Sequence, residues 1–235
     1  MKAIILAGGE GTRLRPLTNT IPKALVDING KTLTEHAIVL LKRFGATEFI
    51  LSLCYMADKV RQYFGNGSKF GTKIDYVVEK TLLGTAGPLI LLKKEGKRIK
   101  ETFIMINGDN LFSLNFKKML EVHKKNKAIG TIALTKTKDV TTSGVVRLEG
   151  SKIVEFVEKP KKEDAPSDFI SSGYYILEPE VFDFLPNKEK VMMEHDIWPA
   201  LAKAGKLYGY YDSGLWFDTG TFSRLDEVRK KWKGL

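Results

Sequence analysis

The chain predicts an α/β protein, with a mostly parallel and in part mixed sheet flanked by helices, on three observations. Through the first 128 residues short apolar runs alternate with amphipathic ones, the texture of strand–helix–strand units whose crossovers leave the strands parallel. A long segment punctuated by glycine and proline follows the first apolar run. From Ile129 onward the chain turns β-rich, with turns at close intervals.

Taken in order, KAIILA at 2–7 reads as a buried strand and the stretch up to Gly30 as a loop. Thr32 to Phe44 reads as a helix with Leu33, Ala37, Leu40, Leu41 and Phe44 on one side and Gly45 just past its end. EFILSL, ending at Leu53, is a second strand, and Asp58 to Phe64 a short helix. A third strand covers Lys73 to Val78 and a third helix Ala86 to Lys94. TFIMI at 102–106 is a short apolar strand that runs into Asn107-Gly108-Asp109, with a helix after it from Phe116 to Lys125. GTIALTKT, GVVRL, KIVEFVE, FISSGYYIL and LYGYYD are strands of the later part, Glu194 to Lys203 is a helix among them, and Phe222 to Trp232 a closing helix. With no proline- or serine-rich linker and no internal repeat, the expectation is a single domain over 1–235, its halves at about 1–128 and 129–235.

Composition removes several classes. Hydrophobic residues at 43% and charged residues at 28% suit a globular chain with one sizeable core. No apolar run approaches the roughly 20 residues that cross a bilayer, and KAIILA stops at two glycines without a cleavage pattern, so no signal peptide is expected. A single cysteine, Cys54, cannot form an internal disulfide or a thiolate zinc site. A cytoplasmic protein is the expectation. The net charge of +10 suits nucleic acid, anionic lipid or a polyphosphate substrate equally, or a lysine-rich solvated surface. Without an RNP-type aromatic run, zinc-finger spacing or heptads, neither nucleic acid nor a membrane is expected as a partner.

The loop GGEGTRLRPLTNTIPKAL is far longer than the 2–6 residues usual between elements, a length that tends to be functional. Gly8, Gly9 and Gly11 let backbone N–H groups approach an anion, Arg13 and Arg15 add guanidinium forks, and Lys23 adds a compact charge. A glycine-rich turn with surface arginines has the same composition. Ligands of open, Rossmann-like α/β sheets sit at the carboxyl ends of the strands, where this loop emerges. It is neither a Walker A loop, lacking the Gly-Lys-Ser/Thr tail, nor a dinucleotide fingerprint, since Pro16 stands where a helix should open.

Asp109, just past TFIMIN, lies at that same edge, where a hard cation bridging phosphates would be held; an Asn-Gly-Asp hairpin turn is the alternative. Asp218 in GLWFDTG is an acid between aromatics and glycines, costly unless paired or metal-bound. In VEKP, Glu158 suits sugar hydroxyls and Lys159 a phosphate monoester, and an exposed charge pair at a strand end would look the same. Cys54 and the histidines at 36, 123 and 195 show no catalytic or metal-ligand spacing.

GGEGTRLRPLT, PKAL, LGTAGPL, NGD, VEKP and WFDTG stand in the order seen in sugar-1-phosphate nucleotidylyltransferases, and over nearly its whole length the chain resembles that family. Within it, LGTAGPL and the Gly-aromatic-aromatic-Asp-x-Gly near the end are most similar to mannose-1-phosphate guanylyltransferases. The resemblance implies the nucleotide-diphospho-sugar transferase fold and the joining of a nucleoside triphosphate to a sugar 1-phosphate, with pyrophosphate released. It implies Mg²⁺ on Asp109 and Asp218, and catalytic roles for Arg13, Lys23 and Asp109. Nucleotide contacts are implied at Leu6, Ala7, Gly8, Gly9, Gly11, Thr12, Arg13, Glu79, Gly84 and Thr85. Sugar-phosphate contacts are implied at Gly144, Glu158, Lys159 and Ser171. Where relatives often read Asn-Ala-Gly, this chain reads Ser171-Ser172-Gly173, which alters one sugar-hydroxyl contact. Many relatives append a left-handed β-helix; none is expected here. A homo-oligomer is compatible with the resemblance.

In-line attack of the sugar phosphate on the α-phosphorus needs no protein nucleophile, in keeping with the absence of Cys–His or Ser–His arrangements. Glu79 stands where uridylyl and thymidylyl relatives carry a base-reading glutamine. A carboxylate only accepts, and guanine offers two adjacent donors, so GTP is the expected nucleotide. A UTP- or dTTP-dependent hexose-1-phosphate enzyme and a non-catalytic nucleotide-sugar-binding regulator are the alternatives.

Overall fold

The computed structural model describes residues 1–233, which form two compact units. The first comprises Met1–Leu82, Met105–Ser113 and the chain from Leu215 onward; the second comprises Leu83–Ile104 and Leu114–Gly214.

In the first unit, β1 (Lys2–Leu6), β4 (Glu48–Leu53), β5 (Lys73–Val78) and β6 (Phe103–Asn107, entering the unit at Met105) lie in the order β5-β4-β1-β6. The pairs β1/β4 and β4/β5 are parallel, with Lys2 opposite Glu48 and Glu48 opposite Lys73. The near-continuous apolar runs of β1 and β4 suit strands covered on both faces, with Ala3, Ile4, Ile5, Leu51 and Leu53 fully buried, while β5, at the edge, mixes buried and exposed positions. Helix α1 (Leu33–Arg43) starts at a capping box: the Thr32 hydroxyl accepts from Glu35 N, and the Glu35 carboxylate accepts from Thr32 N. It packs on β1, while α2 (Ala57–Phe64) packs on β5.

The region expected as one long loop is more ordered than its composition announces. It contains 3₁₀ turns at Thr12–Leu14, Leu17–Asn19 and Lys23–Leu25, then a hairpin of β2 (Asp27–Ile28) and β3 (Lys31–Thr32). Nor is Asn107-Gly108-Asp109 a hairpin turn. The chain passes through it into β7 (Asn110–Phe112), which leaves the main sheet and pairs antiparallel with β13 (Trp216–Asp218). Helix α6 (Phe222–Lys231) follows, and Phe217, Leu225, Val228 and Trp232 close an apolar cluster with Leu14, Val26, Ile28, Leu33 and Leu111. Burying one such side chain is worth about 1.5–3 kcal/mol.

Trp232 is also fixed by polarity. Its indole N–H donates to Nδ1 of the buried His36, whose Nε2 lies 2.8 Å from Ile28 O. The Asn29 amide donates to the carbonyls of Arg229 and Trp232.

The second unit carries five strands in the order β11-β8-β12-β10-β9: β8 (Gly130–Lys136), β9 (Gly144–Glu149), β10 (Lys152–Glu158), β11 (Phe169–Leu177) and β12 (Leu207–Tyr211). Only β8/β12 is parallel among the registered pairs; β8/β11, β9/β10 and β10/β12 are antiparallel, and Ile170 opposite Val145 returns β11 to β9. Helix α3 (Gly87–Lys94) packs on the turn Pro179–Asp183, α4 (Phe116–Lys125) on β8 and β12, and α5 (Trp198–Lys203) on β10 and β12. The helix expected from Glu194 begins instead as a π-helical turn, Met193–Ile197, before α5; such turns frequently mark functional sites.

His123 sits inside this unit, its Nδ1 2.8 Å from Thr131 Oγ1 and its Nε2 2.9 Å from a Glu178 oxygen that also accepts from Thr102. Burial pushes the imidazole below its ordinary value, assisted by Lys124, and outweighs the opposing pull of Glu178. A histidine with a depressed folded pKa leaves the unfolded chain holding more protons just below the ordinary value of about 6.5. Its contribution to stability is therefore complete above that value and lost as pH falls through the folded pKa. Thermal melts between pH 8 and pH 5 should show stability falling at the acid end, with a shallower slope in His123→Gln; an unchanged slope would exclude His123 as the source.

Candidate active site

In the first unit, the carboxyl ends of the strands gather most of the residues singled out in the sequence. Past β1, Leu6 O accepts from Gly108 N (2.9 Å), Ala7 N donates to Ser52 O (2.9 Å), and Gly8 O accepts from Tyr55 N (3.2 Å). Gly8 is required by this packing, because a Cβ there would stand 2.9 Å from Cys54 N. Gly11 has φ +63° and its Cβ would press on Thr18, whose hydroxyl donates to Gly11 O. Around Gly9 a Cβ would meet nothing within 4 Å, so of the three glycines it is the one whose surroundings are open. Thr12 and Arg13 are exposed on the first 3₁₀ turn, with Leu14 buried beneath them. The Tyr55 hydroxyl, donating to Thr18 O, and the Lys59 ammonium, donating to Thr20 O, hold the loop in place.

Lys23, only 12% exposed, donates to Asp109 Oδ2 at 2.8 Å. Burial alone would raise the Asp109 pKa; the Lys23 charge and hydrogen bond, with the Arg13 guanidinium, outweigh it and hold the group below the usual carboxylate range. Asp109 is thus ionised at neutral pH and, at 39% exposure, open to a ligand. Asp218 lies opposite Asn110 in the β7/β13 pair, and both Thr219 N and the Thr219 hydroxyl donate to Asp109 O, which ties the two acidic segments together. Asp218 Oδ1 accepts from Gly220 N at 2.5 Å, and Oδ2 pairs with Arg224. A Cβ on Gly220 would come 2.5 Å from an Arg13 nitrogen and 2.7 Å from Asp218 Oδ1, so Arg13 lies over that glycine beside Asp218. Arg15 instead pairs with Glu10 at 3.0 Å.

Two carboxylates with oxygen lone pairs are the donor set a hard cation such as Mg²⁺ takes, the remaining positions going to phosphate and water. Among the described residues no group of three or more His, Cys, Asp or Glu side chains forms a metal cage. The residues fit a cation that brings its other ligands with it. Glu79, just past β5, is buried and accepts from the Ser52 hydroxyl at 2.9 Å.

The second unit assembles another cluster. Gly144 stands opposite Glu158 in the β9/β10 register; a Cβ there would overlap the Phe156 ring and reach within 3.0 Å of Glu158 Oε2. Glu158 is 12% exposed and pairs with Lys159 at 3.2 Å; Lys159 has φ +48° and donates its N–H to Ser143 O. Ser171 lies where β11 bulges, its hydroxyl 3.4 Å from both Tyr175 Oη and Gly173 N. Ser172 is buried and donates to Ala133 O. Gly84 (φ +91°) abuts the Val191 carbonyl, and the Thr85 hydroxyl donates to Glu194 Oε2 (2.5 Å) while accepting from Met193 N (2.8 Å).

Glu194 is the functional candidate that sequence reasoning missed. Burial pushes its carboxyl upward and the nearby Glu158 charge adds to this, although Thr85 opposes it. Its sequence signal was an acid inside the apolar run VMMEHDI, which reads equally as the polar face of a helix.

Fold and site together place a glycine-rich loop, two acids and two basic side chains at the carboxyl ends of a parallel sheet, the arrangement of a nucleotide-handling α/β protein. The model of the nucleotidyl transferase family matches residues 2–233, and the chain belongs to that family. It is 39% identical over 242 residues to mannose-1-phosphate guanyltransferase beta-A of Xenopus laevis, an alignment covering 98% of this chain and 66% of the relative. It is 35% identical to a UTP–glucose-1-phosphate uridylyltransferase of Synechocystis, covering 94% of this chain and 60% of that protein. The chain thus spans less than two thirds of the length of these relatives. Among solved structures, a Bacillus anthracis protein assigned as a glucose-1-phosphate thymidylyltransferase superposes with a TM-score of 0.89 at 28% identity, over 100% of this chain and 96% of that one. No helix among the described residues is long and apolar enough to cross a membrane.

Proposed function

We propose that this chain transfers a nucleotidyl group from a nucleoside triphosphate to a sugar 1-phosphate, releasing pyrophosphate, with GTP and mannose 1-phosphate as the reactants. The observation that carries the reading is the grouping of Lys23, Asp109, Arg13 and Asp218 beside the glycine loop: two acids for a cation and two basic groups for phosphate oxygens. Arg13 and Lys23 neutralise charge at the reacting phosphate, and Asp109 and Asp218 would hold Mg²⁺, which when bound would supply positive charge to offset that of the phosphates. Leu6, Ala7, Gly8, Gly9, Gly11, Thr12, Gly84 and Thr85 line the nucleotide. Lys159 takes the sugar phosphate, and Gly144, Glu158 and Ser171 the sugar. The partners are these small molecules, in the cytoplasm.

The Glu79 carboxylate, an acceptor for the two guanine donors, favours GTP, and the guanylyltransferase relative agrees with it. Likeness to uridylyl- and thymidylyltransferases supports a second reading, UTP or dTTP with glucose 1-phosphate. A pyrophosphate-release matrix of five nucleoside triphosphates against mannose, glucose, glucosamine-type and heptose 1-phosphates separates them as ratios of kcat/KM. GTP with mannose 1-phosphate should lead. A lead by UTP or dTTP would overturn the Glu79 argument, and no turnover with any pair while a nucleotide sugar binds would favour a regulator.

A further inference from the structure

We propose that Arg224 is a positioning residue for the divalent cation, acting by fixing the Asp218 carboxylate. The proposal rests on Asp218 being a metal ligand.

Three bonds close the junction between β13 and α6 on itself. Asp218 Oδ1 accepts from Gly220 N, Thr221 Oγ1 accepts from Arg224 N at 3.4 Å, and the Arg224 guanidinium returns to Asp218 Oδ2. The helix turn that presents Arg224 is itself anchored, since its neighbour Leu225 is fully buried and donates to Thr221 O at 2.8 Å. An ionised carboxylate offers about four lone-pair sites. Gly220 N takes one on the first oxygen and Arg224 one on the second, so each oxygen keeps a lone pair and the plane of the group is set. With Gly220 N alone, the carboxylate would be held at one oxygen and free to swing.

Charge works the other way, since a guanidinium beside a metal ligand repels the metal. The pair is 20% exposed at Asp218 and 36% at Arg224, so solvent at the Arg224 side weakens that repulsion only in part, while orientation is undiminished. Partners that orient metal-ligating groups are commonly worth 10–100-fold in metal affinity, and orientation is the effect we assign to Arg224.

The test is Mn²⁺ binding to the full chain, followed by electron paramagnetic resonance, for wild type, Arg224→Met, Arg224→Lys and Asp218→Asn. Thermal melts run alongside to verify folding. Arg224→Met keeps the length and removes the donor, and should weaken Mn²⁺ binding 10–100-fold; Arg224→Lys restores a donor and should recover part of the loss. Unchanged or tighter binding in Arg224→Met, or Arg224→Lys as weak as Arg224→Met, would overturn the proposal while leaving Asp218 as a ligand. Unchanged binding in Asp218→Asn would instead overturn the metal reading, and this inference with it.

Discussion

Replacing Lys23 with alanine, or Asp109 with asparagine, should lower turnover at least ~100-fold, the range for losing one electrostatic stabiliser of a transition state. The two side chains are each other's partner at 2.8 Å, and this sets how the losses combine. Without Lys23, burial of Asp109 loses its main opposition, and the carboxyl becomes a weaker anion as well as an unpaired one. Without the Asp109 charge, Lys23 keeps its position in the turn after Pro22 but has no counter-charge. Residues in contact are not additive, so the double variant should lose less than the product of the single losses. Initial rates of pyrophosphate release, with the reactant pair the matrix selects, provide the measurement. Near-normal rates in both single variants would remove the pair from the chemistry.

Gly84→Ala should be the most damaging single-carbon change in the second unit. At φ +91° any side chain is strained by about 1–2 kcal/mol, and here the added carbon would overlap the Val191 carbonyl. Together these place the cost at about 3 kcal/mol or more, which for a chain of this size is a melting point lower by roughly 6–12 °C. The same backbone segment sets Thr85, so the Thr85–Glu194 bond should loosen with it. Gly96→Ala provides the comparison: its φ is +69°, but a Cβ there meets nothing within 4 Å, leaving backbone strain alone. Melts in which the two variants shift equally would show that the overlap relaxes without cost.

The sequence was legible where the local pattern and the final environment agree. Residues 48–53, 73–78, 116–125, 152–158 and 169–177 fold as the strands and helix their pattern predicts, because each makes its own hydrogen bonds or pairs along most of its length with neighbouring strands, although β10 and β11 each carry one irregularity. At Asn107-Gly108-Asp109 the hairpin alternative could not be settled locally, because a turn signal describes only a few residues. The partner of the next strand, Trp216–Asp218, lies a hundred residues further on, and no local rule points to it. The π-helical turn at Met193–Ile197 was invisible for a related reason: it draws on the same residue types as an α-helix and differs in the spacing of its backbone hydrogen bonds, which composition does not encode. Of the site, the charges could be read but their pairings could not. Nothing in TRLRPLT distinguishes Arg13, lying beside Asp218, from Arg15, which pairs with Glu10.

The three separate stretches of chain that make up the first unit have a consequence for how the molecule comes into being. The ribosome delivers β1, its loop and β4 early, but Phe217, Leu225, Val228 and Trp232, which seal the apolar patch around Leu14 and Leu33, follow only after the whole second unit has been made. Until they emerge, a nascent chain bearing the whole glycine loop still lacks both the cover over its oiliest surface and the second acid, Asp218. On the proposed function, the site for a charged nucleotide is therefore complete only once α6 has docked.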